Sequence, residues 1–335
     1  MERSAEPMGT NVMEEVYEPE DALPVEYSRT LEKVIMQHAH SEIVGMQPES
    51  DWILRAPSLQ KKMILVAKVQ DEAGHGLLLY YAAATLGITY EAFMGEFLKR
   101  QVRHSAAFDH PSLTWADVGA IAWLTDGAAS VNQRPLCRTS YGPYARAMQK
   151  ICLEEAFHVR QGWELLRELA HGTDEQRQMA QDAVDRWWFP ALAFIFGPPD
   201  TFVVPDPSGG ETGSVAFTAA TENGIKWRIR FHSNDQLRQK FIDLVVPQAK
   251  QLGLSLPDPA IAWDEQAGHY RYTPISLRAY RDLIRKTEQC SQERFERRKK
   301  AHEDGAWVRA ALRQTQSAST RTIRRGTPVH ALEEQ

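Results

Sequence analysis

Asp71-Glu72-Ala73-Gly74-His75 and Glu154-Glu155-Ala156-Phe157-His158 decide how this chain is read. Each sets a glutamate three residues ahead of a histidine. On a helix, positions i and i+3 share a face, so carboxylate and imidazole point the same way. One such pair is weak evidence, because helical spacing is common. A third instance, Glu168 and His171, reads as chance. Gly172 follows it as a helix C-cap would, which puts His171 in a last turn where histidine suits the dipole.

The two leading pairs gain weight from what precedes them. Glu42 lies in an amphipathic stretch 30 residues before Glu72 (72 − 42), and Asp126 lies in another, 29 residues before Glu155 (155 − 126). Two successive helix hairpins therefore share one layout, a lone carboxylate on the first helix and Glu-x-x-His on the second. Four carboxylates and two imidazoles converging in a four-helix bundle form the dinuclear iron or manganese site of ferritin-like carboxylate proteins. Oxygen-rich ligation with two imidazoles suits those metals better than structural zinc, which favours thiolates. The predicted fold class is all-α, a ferritin-like four-helix bundle with additional helices and an irregular C-terminal appendage. The predicted metal ligands are Glu42, Glu72, His75, Asp126, Glu155 and His158. Taken singly, an acidic helix residue is usually solvated and a histidine on an apolar stripe is usually a satisfied core residue. Taken together they resist that reading, because Glu72, His75, Glu155 and His158 sit in apolar helices where unpaired charge is costly.

The composition excludes several classes. Among 335 residues, 43% are hydrophobic and 25% charged, ordinary values for a globular chain with a sizeable core. A net charge of −5, with no Lys/Arg stripe alternating with aromatics, argues against nucleic-acid binding. No run of 18 apolar residues exists, so no membrane span is expected. Three cysteines, Cys137, Cys152 and Cys290, without paired spacing or a signal peptide, point to a reduced cytoplasm.

Along the chain, residues 1–24 are polar and aperiodic, an N-terminal segment expected to be disordered or draped. Residues 25–196 form the expected di-iron helical domain. Its first helix runs from about Val25 to Gly45, Pro48 and Pro57 bracket a loop, and a second helix runs from Ser58 to Leu86, stopped at Gly87. On that helix Met63, Val66, Ala67, Gln70, Gly74 and Leu77 mark one side, with Glu72 and His75 on an adjacent one. Thr114 caps the helix carrying Trp123, Asp126, Ala129 and Gln133, and the helix from about Tyr144 to Ala170 carries Glu155 and His158. Thr173 and Gln176 form a capping box for the next, which reaches Phe194 through a kink at Pro190. Residues 197–310 are expected to hold a long loop, a small hairpin near Val215–Thr218, a short strand at Lys226–Phe231, a helix capped by Asn234 or Asp235, and a charged helix opened by Ser276. They would pack on the bundle or on a partner. Residues 311–335 form a polar tail, expected to be disordered.

His38 lies one turn before Glu42, and Asp71 and Glu154 immediately precede ligands. His38 and Asp71 are candidates for orienting the ligands by hydrogen bonds. Small residues crowd the site (Ala73, Gly74, Gly76, Gly127, Ala128, Ala129), which fits either room for a substrate or close helix packing.

Longer stretches carry a family resemblance. Gln37–Met46 (QHAHSEIVGM), Ala67–His75 (AKVQDEAGH), Asp126–Ala129 (DGAA), Cys137–Met148 (CRTSYGPYARAM) and Ala267–Tyr272 (AGHYRY) resemble the catalytic A-subunit family of bacterial phenylacetyl-CoA epoxidases, the ring-1,2-phenylacetyl-CoA monooxygenases, over about residues 20–310. The resemblance implies a di-iron centre on the six ligands above, with aspartate at Asp126 where the general pattern has glutamate. It implies epoxidation of the aromatic ring of phenylacetyl-CoA, using O2 and two electrons from NADPH, in aerobic phenylacetate degradation. It implies substrate contacts at Lys33, Gln37, Arg103, His104, Ser105, Ala106, Arg228 and Arg230. No dinucleotide fingerprint and no cysteine set for an iron–sulfur cluster is found, so the electrons must come from another polypeptide. The family's partners are a reductase carrying FAD and a 2Fe-2S cluster, a small auxiliary subunit, and a structural paralogue forming a hetero-oligomer. Three alternatives stay open: a di-iron oxygenase for another aryl-CoA such as benzoyl-CoA, a ribonucleotide reductase small subunit, and a non-catalytic ferritin-like scaffold. The last would be expected to have lost ligands, and all six are present.

Overall fold

A computed structural model describes residues 16–99, 104–205, 211–216 and 219–313. Helix α1 spans Val25–Ser50 and α2 spans Leu59–Ala84. A short α3, Tyr90–Phe97, leads through a 3-10 turn at Ala106–Asp109 to α4, Trp115–Ala120. A single π-helical turn, Ile121–Thr125, joins α4 to α5, Asp126–Gln133. Helix α6 spans Gly142–Ala170 and α7 spans Asp174–Pro190, the latter running into a second π turn at Ala191–Ile195. The bundle consists of α1, α2, the composite α4–α5 rod, and α6. The chain is all-α in class, as expected.

Local chemistry sets these boundaries. Every third or fourth residue of α1 is buried (Tyr27, Leu31, Ile35, Ala39, Glu42), an inward stripe of helical period. Ser58 caps α2 by accepting from the Lys61 N–H at 3.2 Å, and Gly87 stops it with φ +88°, a conformation favourable only to glycine. A Cβ on Gly76 would lie 2.3 Å from Ile43 Cγ1, so α1 and α2 cross closely at this glycine. Here close packing accounts for the small residue. Asp117 closes the capping box with Thr114 and also accepts from Arg186 and the Trp187 indole, which locks α7 to the start of α4.

Three expectations need correction. Helix α1 does not stop before Pro48 but continues to Ser50. The ring removes one N–H near the end of the hydrogen-bond ladder without ending the helix, and buried Glu49 beyond it is held by an ion pair. Lys226–Phe231 is not a strand. It follows α8, Ala219–Lys226, and its carbonyls at 227, 228 and 229 accept from Ser140 Oγ, Ser140 N–H and Thr139 Oγ1. That leaves no strand partner, and Arg228 adopts a left-handed φ of 55°. The cap of α9, Asn234–Leu252, is Ser233, which accepts from the Gln236 N–H.

Beyond the bundle, β1 (Thr201–Pro205) pairs antiparallel with β2 (Glu211–Ala216), and β3 (Ala262–Asp264) with β4 (His269–Arg271). The hairpin expected at Val215–Thr218 lies partly outside the described residues. Helix α9 packs its buried face (Phe241, Ile242, Val245, Val246, Ala249) on the bundle, and the Trp123 indole donates to Gln248 at 2.8 Å. Before α1, the Tyr17 N–H donates to the Ser140 carbonyl and the Gly142 N–H to the Tyr17 carbonyl, so this part of the N-terminal segment lies on the bundle. Residues 1–15 and 314–335 lie outside the described residues. Helix α10, Leu277–Asp304, begins at its Ser276 cap. It is tied down by buried Arg294, which donates to the carbonyls of Phe108 and His110, and by Arg297 paired with Asp51 at 2.7 Å.

His110, wedged edge-on against Trp187, makes one pH prediction. Burial holds its pKa down to about 4, Asp117 opposing the shift and Arg294 and Arg186 adding to it. The folded state therefore favours neutral imidazole. Above pH 6.5 both states are neutral and no penalty exists. Below 6.5 the unfolded chain takes the proton first, and stability falls until about pH 4. Urea unfolding should show His110→Phe flattening this loss by roughly 2 kcal/mol. An unchanged acid limb would remove His110 from the account.

Candidate metal centre

The six predicted ligands meet at the middle of the bundle. Glu42 comes from α1, Glu72 and His75 from α2, Asp126 from the first turn of α5, and Glu155 and His158 from α6. All are at least 94% buried. Their donor atoms fall into two sets, each lying within 4.8 Å: Glu42, Glu72, His75 and Glu155, and Glu72, Asp126, Glu155 and His158. Glu72 and Glu155 belong to both sets. The arrangement is two adjacent half-sites that share two carboxylates.

The imidazoles are oriented for ligation. His75 Nδ1 lies 3.4 Å from Glu155 and 3.6 Å from Glu42, and His158 Nδ1 lies 3.3 Å from Glu72 and 3.5 Å from Glu155. Both Nδ1 atoms are buried without a well-formed hydrogen bond. A buried polar atom in that condition calls for a partner, and a metal ion among carboxylates supplies one. The outer nitrogens are engaged: His75 Nε2 meets Glu154 at 3.1 Å and His158 Nε2 meets Asp71 at 3.3 Å. Each outer carboxylate thus serves the imidazole of the facing helix, not its own neighbour's. Such contacts fix ring orientation and raise ligand basicity. Asp71→Ala is expected to weaken metal binding by about 10- to 100-fold with the fold intact. A metal isotherm identical to wild type would remove Asp71 from this role.

Burial and mutual charge shape the titration of these groups. Burial, reinforced by the Glu155 charge, pushes the Glu72 carboxyl up to about 7, and burial raises Asp126 to about 7 against the pull of Lys68. Burial also works to raise Glu42 and Glu155, but the close imidazoles, His38 and His75 beside Glu42 and His158 and His75 beside Glu155, outweigh it and hold both below the usual carboxylate range. Burial would lower the two imidazoles, yet the carboxylates around them win and lift both to about 11. Metal ligation by these imidazoles must therefore displace protons, and affinity should rise with pH.

The backbone around Asp126 is unusual. The π turn at Ile121–Thr125 ends immediately before it, and single π turns concentrate at functional sites. His38 Nε2 sits 2.8 Å from Glu42, and its Nδ1 meets the Tyr144 hydroxyl at 2.8 Å. Gln133 also donates to Glu42, at 3.0 Å. Gln133 and Tyr144 were not foreseen in these roles from the sequence, and neither were Lys68 and Glu49. Lys68 had a signal, since it lies one turn before Glu72 on the ligand-bearing side.

The implied substrate contacts are less gathered. Lys33 and Gln37 are exposed one turn apart on α1. One turn further, Ser41 Oγ accepts from the Ser105 N–H at 2.9 Å, which brings residues 104–106 to the same helix. His104 pairs with Asp109 at 3.1 Å, and Arg230 donates to Asn234 at 2.9 Å. Arg103 lies outside the described residues. His171 of the third Glu-x-x-His is exposed, and Glu168 pairs with Lys61, far in role from the cluster.

Known proteins resemble this chain along most of its length. The family model described as "Phenylacetic acid catabolic protein" matches residues 8–307. A curated relative, the A-subunit of 1,2-phenylacetyl-CoA epoxidase from Escherichia coli (strain K12), is 49% identical over 311 residues, covering 92% of this chain and 96% of the relative. The chain belongs to the phenylacetic acid catabolic protein family.

Proposed function

We propose that this chain is the catalytic subunit of a multicomponent di-iron monooxygenase that epoxidises the aromatic ring of phenylacetyl-CoA. The observation that carries the reading is the pair of buried half-sites sharing Glu72 and Glu155, with both Nδ1 atoms turned inward. Two Fe(II) ions held there would supply the redox chemistry that O2 activation needs, with electrons replenished from NADPH. The four ligand carboxylates offset the charge of both ions. Asp71 and Glu154 hold the imidazoles, and His38 with Gln133 holds Glu42. The surrounding helices keep bulk water from the reacting ring.

The 49% identical relative is named for phenylacetyl-CoA, which supports that substrate. The CoA moiety is anionic, and Lys33, Gln37, Arg103, His104, Ser105, Ala106, Arg228 and Arg230 are the proposed contacts. NADPH-derived electrons are proposed to arrive from a separate reductase carrying FAD and a 2Fe-2S cluster. A structural paralogue, forming a hetero-oligomer with this chain, and a small auxiliary protein complete the proposed assembly. Among the described residues no helix is long and apolar enough to cross a membrane, which fits the proposed cytoplasmic setting. The complete ligand set argues against a non-catalytic scaffold.

The test is reconstitution with partner subunits, reductase, NADPH, phenylacetyl-CoA and isotopically labelled O2. One labelled oxygen in the product is expected. Unlabelled product overturns the monooxygenase reading, and a higher kcat/KM for benzoyl-CoA overturns the substrate.

A further inference from the structure

The metal ligands enclose a cation that none of the foregoing uses. Lys68 is 3% exposed, and its Nζ lies 2.7 Å from Asp126 Oδ2 and 3.6 Å from Glu72 Oε1. It also forms a short contact with Glu49, itself 1% exposed. A buried ammonium is stable only when paired, and three carboxylates surround this one. Two of them, Asp126 and Glu72, are metal ligands. The third is not, and Glu49 Oε1 has no hydrogen-bond partner at all. Lys68 and Glu49 together line a small cleft of about 60 Å³ between α2, α4 and α6, which Lys61, Gln161 and Glu164 also line.

Charge counting gives this arrangement a purpose. With Glu49 included, five carboxylates surround the centre, and Lys68 stands among them beside the two imidazoles. Two divalent ions would neutralise the four ligand carboxylates and leave Lys68 and Glu49 as a self-balanced pair. Without metal, Lys68 must serve Asp126 and Glu72 as well. Its charge therefore competes with a metal for the Asp126–His158 half-site, and Glu49 is the partner that retains it once that metal binds. The cleft gives the ammonium space to withdraw.

We propose that Lys68 is a displaceable counter-cation that weakens metal binding at the half-site of Asp126 and His158, and that Glu49 is the anion that draws it off. The proposal rests on the dinuclear-centre reading above. Lys68 is a positioning residue here, acting through Asp126 and Glu72.

The experiment is Mn(II) binding to the full-length chain at fixed pH, by calorimetry and by loss of the free-ion EPR signal, for wild type, Lys68→Met, Glu49→Gln and the double variant. Circular dichroism and thermal unfolding establish that each is folded. Lys68→Met should bind the weaker of two ions on the order of tenfold more tightly, as expected for removing a like charge from a buried site. Glu49→Gln should bind it less tightly, because Lys68 then leans on the ligands alone. The double variant should return towards Lys68→Met, since Glu49 acts only through Lys68. A purely structural pair would lose affinity on either substitution. Folded Lys68→Met with equal or weaker binding overturns the proposal while leaving the metal centre intact. Wild type that takes up no metal overturns both.

Discussion

Glu72→Ala should leave a folded chain that holds less than one metal ion and turns over substrate at background. Glu72 is shared by both donor sets, so its loss opens each half-site at once. A ligand carboxylate confined to one half-site, such as Glu42, should leave the other partly competent. Metal chemistry supplies several kcal/mol of catalysis, so a fall on the order of 1,000-fold or more is expected. The fold should survive, because Lys68 keeps Asp126 and Glu49 as partners when Glu72 is gone. Elemental analysis and product formation check the two halves separately. Glu168→Ala is the control: it alters a Glu-x-x-His sequence at an exposed position and should change neither. Full metal content with normal turnover in Glu72→Ala would refute the assignment.

Gly162→Ala should produce the largest loss of stability for the smallest added volume. A Cβ at this α6 position would lie 2.5 Å from the Trp123 backbone nitrogen and 2.6 Å from Ala122 Cβ. The obstacle includes backbone, which cannot rotate away as a flexible side chain would. Either α6 or the π turn must move, and overpacking of this kind costs on the order of 3 kcal/mol. Alanine favours the helix over glycine by nearly 1 kcal/mol, so a clash this close must exceed a local gain. Thermal unfolding measures the cost. Because the strained contact is only three residues from Asp126, the same variant should also lose metal affinity at the Asp126–His158 half-site. Gly74→Ala on α2 meets nothing within 4 Å and should be neutral or slightly stabilising. A Gly162→Ala chain as stable as wild type would show that the helices separate without penalty.

Part of this arrangement is legible in the sequence. Paired Glu-x-x-His stretches at matching distances from lone carboxylates were legible because helical period and ligand chemistry act locally. Ser58, Gly87, Thr114, Thr173 and Ser276 mark helix ends for the same reason: a cap is satisfied by residues three or four positions away. Glu49 was hidden because its partner, Lys68, lies 19 residues away, and Pro48 beside it suggested a loop. Lys226–Phe231 misled because alternation is a strand signal only when another strand is free to pair. The apolar residues Met63, Val66 and Leu77 on α2 are exposed, while the polar residues Lys68, Glu72 and His75 are buried. A metal site inverts the usual assignment of inside and outside, so hydropathy alone would have turned this helix the wrong way. The crosswise pairing of Asp71 with His158 and Glu154 with His75 depends on how α2 and α6 are juxtaposed, which no single stretch specifies.

The π turn at Ile121–Thr125 has a geometric meaning for chain length. One residue more than an α-turn is accommodated there, so everything downstream on the rod is rotated by about 100° relative to an uninterrupted α-helix. A chain shortened by one residue at this point would recover a regular hydrogen-bond ladder, yet it would swing the Asp126 carboxylate off the bundle axis. Local regularity and ligand placement are mutually exclusive on this rod, and the numbering of the turn is as much a part of the site as the donor atoms themselves.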